Sequence, residues 1–196
     1  MSKRLSVIVL ATFVLLALAG CSKPPEMEMQ NANAAFDAAR AAEAEAYVPD
    51  AYRAAMDSLN AAMAMKQEQD GKFALFRSYG KAKALFIKAD AMAKQVAQDA
   101  AVEKEKVKNE VTALLTEAKT ALDEADAAMK KAPRGKGTKA DLELIAADLT
   151  ATKAGYDDAM NDFNAGKYLV ARSKVQTVIS KARGITAEIP MVGKKK

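Results

Sequence analysis

The sequence predicts an all-α protein: an elongated helical bundle of two three-helix units that share a long, continuous central helix. Three observations carry this expectation. Strong helix formers (Ala, Lys, Glu, Leu, Met) dominate the 196 residues, aromatic residues are only 6%, and β-branched runs are almost absent beyond residue 20. Chain breakers occur at a few places only, namely Pro24-Pro25, Pro49, Asp70-Gly71, Pro133 to Gly137, Gly166 and Pro190. Between those breakers, apolar residues recur at helical spacing.

Residues 1–20 stand apart. Lys3 and Arg4 precede an apolar run from Leu5 to Ala17, which small residues and Cys21 close. A basic start, a short apolar stretch and a small-residue end make an export signal. The run is short for a bilayer span, which needs ~20 apolar residues. Leu18-Ala19-Gly20-Cys21 resembles the lipobox of bacterial lipoproteins, and Cys21 is the only cysteine. That resemblance implies cleavage before Cys21, a diacylglyceryl thioether on its sulfur and acylation of the new amino terminus. Membrane lipid, through acylated Cys21, is then a partner of this chain. Ser22 follows, and by the same resemblance it favours the outer membrane, facing the periplasm, over inner-membrane retention. Removing Lys3 and Arg4 lowers the formal charge from +5 to +3. No second cysteine exists, so no intramolecular disulfide can form.

Residues 21–25 are expected to form a lipidated linker, followed by five helices. The first is predicted over residues 26–46, with Phe36, Ala39 and Ala42 inward. The second, over 50–69, carries the stripe Tyr52, Ala55, Met56, Leu59 and Met63. The third begins near residue 72 and is expected to run unbroken to 129, the alternative being a break near Asp99 that gives two units folded together. Its Val111, Leu115, Ala118, Leu122, Ala125 and Met129 step by four and three, as on a heptad seam. The fourth starts at Thr138, whose hydroxyl is placed to cap it, with Asp141 three residues on. Its inner face is Leu142, Ile145, Leu149, Tyr156, Met160 and Phe163. The fifth follows Gly166, with Tyr168, Ala171, Val175, Val178, Ala182 and Ile185 inward. Residues 189–196 are read as a disordered basic tail.

An internal repeat orders these helices. Gly71-Lys72-Phe73-Ala74-Leu75-Phe76-Arg77-Ser78 parallels Gly166-Lys167-Tyr168-Leu169-Val170-Ala171-Arg172-Ser173, and Ala35 to Ala39 parallels Ala121 to Ala125. The shift grows from 86 to 95 residues along the chain. The units are placed at residues 26–100 and 101–188. A third helix of one unit that runs into the first helix of the next resembles the spectrin-type arrangement. The join, with Glu103, Lys104, Glu105, Lys106 and Lys108, reads as a solvated connector supported by local opposite charges. A core rich in alanine buries little area per residue, which favours self-association or an envelope protein partner.

No catalytic constellation is present. Without histidine there is no imidazole base, no Ser-His triad and no usual zinc set, and no cofactor is expected. Carboxylate pairs such as Asp157 and Asp158 read as solvated helix faces. Gly135-Lys136-Gly137-Thr138 lacks the leading glycine and the preceding strand of a phosphate loop. Met27-x-Met29 and Met63-x-Met65 have the spacing of thioether ligands for Cu(I), but Met56 and Met63 fit the helical seam as gap fillers. Lys130, Lys131, Arg134, Lys136 and Lys139 form a basic cluster, and Lys194 to Lys196 a second; they read as a solvated loop and tail, or else as a contact for anionic lipid head groups or cell-wall polymer. Nucleic acid is not a sensible partner for an exported chain of nearly balanced charge. Lys196 occupies the terminal position at which Braun-type lipoproteins are linked to peptidoglycan. The Gly193-Lys-Lys-Lys ending lacks the arginine and aromatic residue of that group.

As a whole, the chain resembles the uncharacterised alanine-rich lipoproteins with tetratricopeptide-like helical hairpins, although no 34-residue period is present. Fold analogy of this kind does not confer a function; the leading expectation is a non-enzymatic envelope protein, lipid-anchored at Cys21, that acts as a periplasmic scaffold or interaction module. Two alternatives remain open: a tether from outer membrane to peptidoglycan through Lys196, and a bundle that binds a lipid or other hydrophobic ligand.

Overall fold

The structure, a computed structural model, describes residues 23–135 and 137–192. The described residues form six α-helices and two short 3-10 turns, with no strand among them. The fold is an all-α helical bundle. The helices are α1 (Glu26–Ala41), α2 (Ala44–Tyr47), α3 (Pro49–Asp70), α4 (Gly80–Lys131), α5 (Lys139–Asn164) and α6 (Tyr168–Glu188). The chain divides between Glu103 and Lys104 into two compact units, and the 52-residue α4 passes through that division.

In the first unit, α1 and α3 pack together with the amino-terminal part of α4. Phe36, Tyr79 and Phe86 are buried to 2% exposure or less, among alanines that include Ala39, Ala55, Ala89 and Ala93. Phe36 meets Tyr52 edge to face, with centroids 6.0 Å apart. Two ion pairs fix which ends adjoin. Lys66 near the end of α3 lies 3.4 Å from Glu26, and Lys83 in the first turn of α4 lies 2.7 Å from Glu28. The start of α1, the end of α3 and the start of α4 therefore share one end of this unit.

In the second unit, the carboxy-terminal part of α4 packs with α5 and α6 around Val111, Val175, Val178, Ile145 and Leu149. Lys153 pairs with Asp126 at 2.7 Å, Arg183 with Glu117 at 2.6 Å and Arg172 with Glu110 at 3.2 Å. Helix α5 ends in a Schellman turn. Gly166 takes φ +76°, its N–H donates to Phe163 O, and Lys167 N–H donates to Asp162 O. All of the heptad seam from Val111 to Ala125 is buried, and Met129 is half-buried.

Several expectations change. The first helix stops at Ala41 rather than running to residue 46, because Glu43 adopts a left-handed conformation (φ 58°) and restarts the chain as α2. The third helix begins at Gly80, not near residue 72. Residues 71–79 form a loop with a 3-10 turn, Ala74–Phe76. Met63 is 39% exposed, and Ala62 fills the inner position beside it. Thr138 stands at the N-cap of α5, but its hydroxyl pairs with Gly135, accepting from N–H at 2.9 Å and donating to the carbonyl at 3.1 Å. Of the tail expected to be disordered, residues 189–192 are ordered: Ile189–Met191 is a 3-10 turn, and Ile189 and Val192 are buried. Residues 193–196 lie outside the described residues.

The loop also corrects the register of the repeat. Gly71 and Gly166 each follow the end of a helix, but Tyr168 opens α6 directly, whereas Phe73 lies in the loop. Burial pairs the third helices differently. Ala82, Phe86, Ala89, Ala93, Val96 and Ala100 match Ala171, Val175, Val178, Ala182, Ile185 and Ile189, each 89 positions on and all buried. The first helices keep the shift of 86: Ala32, Ala35, Phe36 and Ala39 match the buried Ala118, Ala121, Leu122 and Ala125.

Candidate functional site

Cys21, Lys136 and Lys196 lie outside the described residues. The rest of the predicted basic cluster divides. Lys130 and Lys131 occupy the last turn of α4, where cations complement the helix carboxyl end. Arg134 and Lys139 instead line an open groove of about 380 Å³ in the second unit. Met129, Leu142 and Ala146 provide its apolar surface, and Glu143 stands opposite, 3.9 Å from Lys139 Nζ. Two cations over a shallow apolar floor suit an amphipathic anion. The groove is wide open, and among the described residues no buried polar group lines it to orient one.

A second surface was not anticipated. The loop of residues 71–79 presents Phe73, Leu75 and Phe76 at 70%, 51% and 74% exposure, with the two phenyl rings 6.4 Å apart. Their exposure does not follow from a slack backbone. Arg77 Nε donates to Lys72 O and Nη2 to Asp70 O, both at 2.9 Å. Ser78 N–H donates to Gln69 Oε1 at 3.0 Å, and the Tyr79 hydroxyl donates to Asp70 Oδ1 at 2.6 Å. Tyr79 is itself buried, so the loop is stapled at its base while its apolar side chains point to solvent. Beneath Phe76, a hollow of about 340 Å³ lies among Met65, Glu68, Gln69, Lys72 and Lys81.

Charge at this end is organised by the same staples. The Tyr79 hydroxyl and then Lys66 hold the Asp70 carboxyl below the ordinary carboxylate range, and Asp70 in turn raises Tyr79. The hydrogen bond from Lys83 lowers Glu28. Lys72 pairs with Glu68 at 2.9 Å, while Lys23 and Lys81 are exposed. In the second unit, Lys174 Nζ approaches Asp162 Oδ2 to 2.6 Å, lowering the carboxyl and raising the amine. The contact is an ion pair.

Sequence reasoning missed the loop because Gly71-Lys72-Phe73 was aligned with the true helix start at Gly166-Lys167-Tyr168. The available signal was the run Phe73-Ala74-Leu75-Phe76, whose three large apolar residues cannot share one helix face. No protein-family model matches this chain, and no curated protein or solved structure matches it.

Proposed function

We propose that the protein is a lipid-anchored, non-enzymatic envelope protein. Its helical units act as a periplasmic scaffold or interaction module, held at the outer membrane through Cys21. The observation that carries this reading is the order Lys3-Arg4, apolar run, Leu18-Ala19-Gly20-Cys21. Two or three acyl chains on one residue anchor firmly, since each buried methylene contributes ~0.8 kcal/mol and a single chain is marginal. Helix faces, rather than an enclosed pocket, are the surfaces offered to partners, in keeping with the open grooves described above.

The test compares the chain with its Cys21→Ser variant in cells supplied with labelled palmitate. The parent chain is expected to incorporate label and fractionate with outer membrane; the variant is expected to do neither. Label retained in the variant, or an unlabelled parent chain, would overturn the anchor. Crosslinking in the same cells then separates the roles. A dominant protein partner supports the scaffold, and peptidoglycan fragments on Lys196 would replace it with the tether.

A further inference from the structure

We infer that the loop of residues 71–79 is a second membrane contact, with Phe73, Leu75 and Phe76 entering the interface of the leaflet that holds the acylated Cys21. The inference rests on the lipid-anchor reading and adds to it how the first unit meets the bilayer.

Position comes first. One residue, Ser22, separates Cys21 from Lys23, and the two steps span at most ~7 Å. Lys23 lies three residues ahead of α1, and α1 starts at the end of the unit that carries the loop. The pairs Lys66–Glu26 and Lys83–Glu28 set that adjacency, because they bind the first turn of α1 to the end of α3 and the start of α4. The loop joins those two helices. The five residue steps from Cys21 to Glu26 span at most ~18 Å and neighbouring helices pack ~10 Å apart, so a bilayer holding Cys21 is within reach of the loop.

Chemistry agrees with position. Phe73, Leu75 and Phe76 are adjacent, large and exposed, and Met27 on the first turn of α1 is 66% exposed at the same end. An exposed apolar cluster rimmed by polar residues marks an interaction site. Lys72 and Lys81 border the hollow beneath Phe76, where Glu68 also lies, and Arg77 follows Phe76 in the loop. Apolar side chains beside exposed lysines suit an anionic lipid interface. The staples made by Arg77, Ser78 and Tyr79 hold the loop's base without membrane, so little ordering is left for the moment of contact.

The chain contains no tryptophan, so Phe76→Trp gives a single indole. The full, lipidated protein carrying it is reconstituted into vesicles of phosphatidylethanolamine and phosphatidylglycerol, with and without brominated acyl chains. Glu45→Trp, on α2, is the control; Glu45 is exposed and lies beyond the opposite end of α1. The expected result is a blue-shifted Phe76→Trp emission, quenched roughly twofold or more by brominated lipid, with Glu45→Trp unquenched. Equal, weak quenching of both indoles in protein that floats with the vesicles overturns the loop contact and leaves the anchor standing. A blue shift without quenching also overturns it, in favour of cover by another protein surface. Protein that fails to float with vesicles overturns the anchor and the loop contact together.

Discussion

At the residue scale, the link between Asp70 and Tyr79 has a defined pH window. The folded Asp70 carboxyl titrates below its unfolded value, so its contribution is present above the ordinary carboxylate range, near ~3.9, and fades as pH falls through the depressed value. Tyr79 titrates above its unfolded value, so its contribution is present below ~10 and fades as pH rises through the raised one. Protection of the amides at residues 73–78, taken relative to the intrinsic exchange rate at each pH, is therefore expected to be greatest between those limits and to fall on both sides. Tyr79→Phe should lower it at neutral pH as well. Unchanged exchange in that variant would show that Arg77 and Ser78 hold the loop alone. Gly166 gives a backbone prediction. At φ +76°, a Cβ is strained although the surrounding space is open. Gly166→Ala should cost about 1–2 kcal/mol in urea unfolding, whereas Gly80→Ala, with open space and no positive φ, should be neutral or stabilising.

Elements were legible wherever a breaker coincided with the end of an apolar stripe. Pro49 opens α3 at its first position, as its fixed φ allows, and Gly166 closes α5. Glu43 has no such mark. A glutamate at φ 58° does what glycine ordinarily does, so the stop in the first helix could not be read from residue types. The loop after Gly71 was hidden for a different reason. Its conformation is set by Arg77 reaching back to the Asp70 and Lys72 carbonyls and by the Gln69 side chain accepting from Ser78 N–H, and these contacts have no local period. Of the candidate basic cluster, Arg134 and Lys139 were the part that came together, because the loop between α4 and α5 returns the chain to α4's end. Helix α4 offers its own test. None of residues 101–106 is buried, while Ala100 and Val107 on either side are. Ala101→Pro should cost about 3 kcal/mol of local helix stability. Amide exchange should quicken around the substitution, while the buried seams of both units stay protected. Loss of protection at Val111 or Ala93 would mean that the cores depend on an unbroken α4.

On the scale of the whole molecule, the two units repeat a helix order with unequal cores. Among the described residues, alanine supplies 10 of the 17 buried hydrophobic positions up to Glu103 but 7 of the 19 beyond it. Each Val, Ile or Leu buried in full contributes about 1.5–3 kcal/mol, several times a methyl group's share. The second unit is accordingly expected to be the more stable. Exchange measured along a urea series should show Ala39, Ala55 and Ala89 opening at lower denaturant than Val111, Leu149 and Val178. Simultaneous opening of both sets would indicate a single cooperative block. The bare turns of α4 have a mechanical meaning too. Six residues that rise 1.5 Å each as helix can reach about 3.4 Å each when drawn out, and none of the six is buried in a core. Under tension, this stretch of α4 is the compliant part of the chain: it can lengthen and rewind while Ala100 and Val107 stay seated.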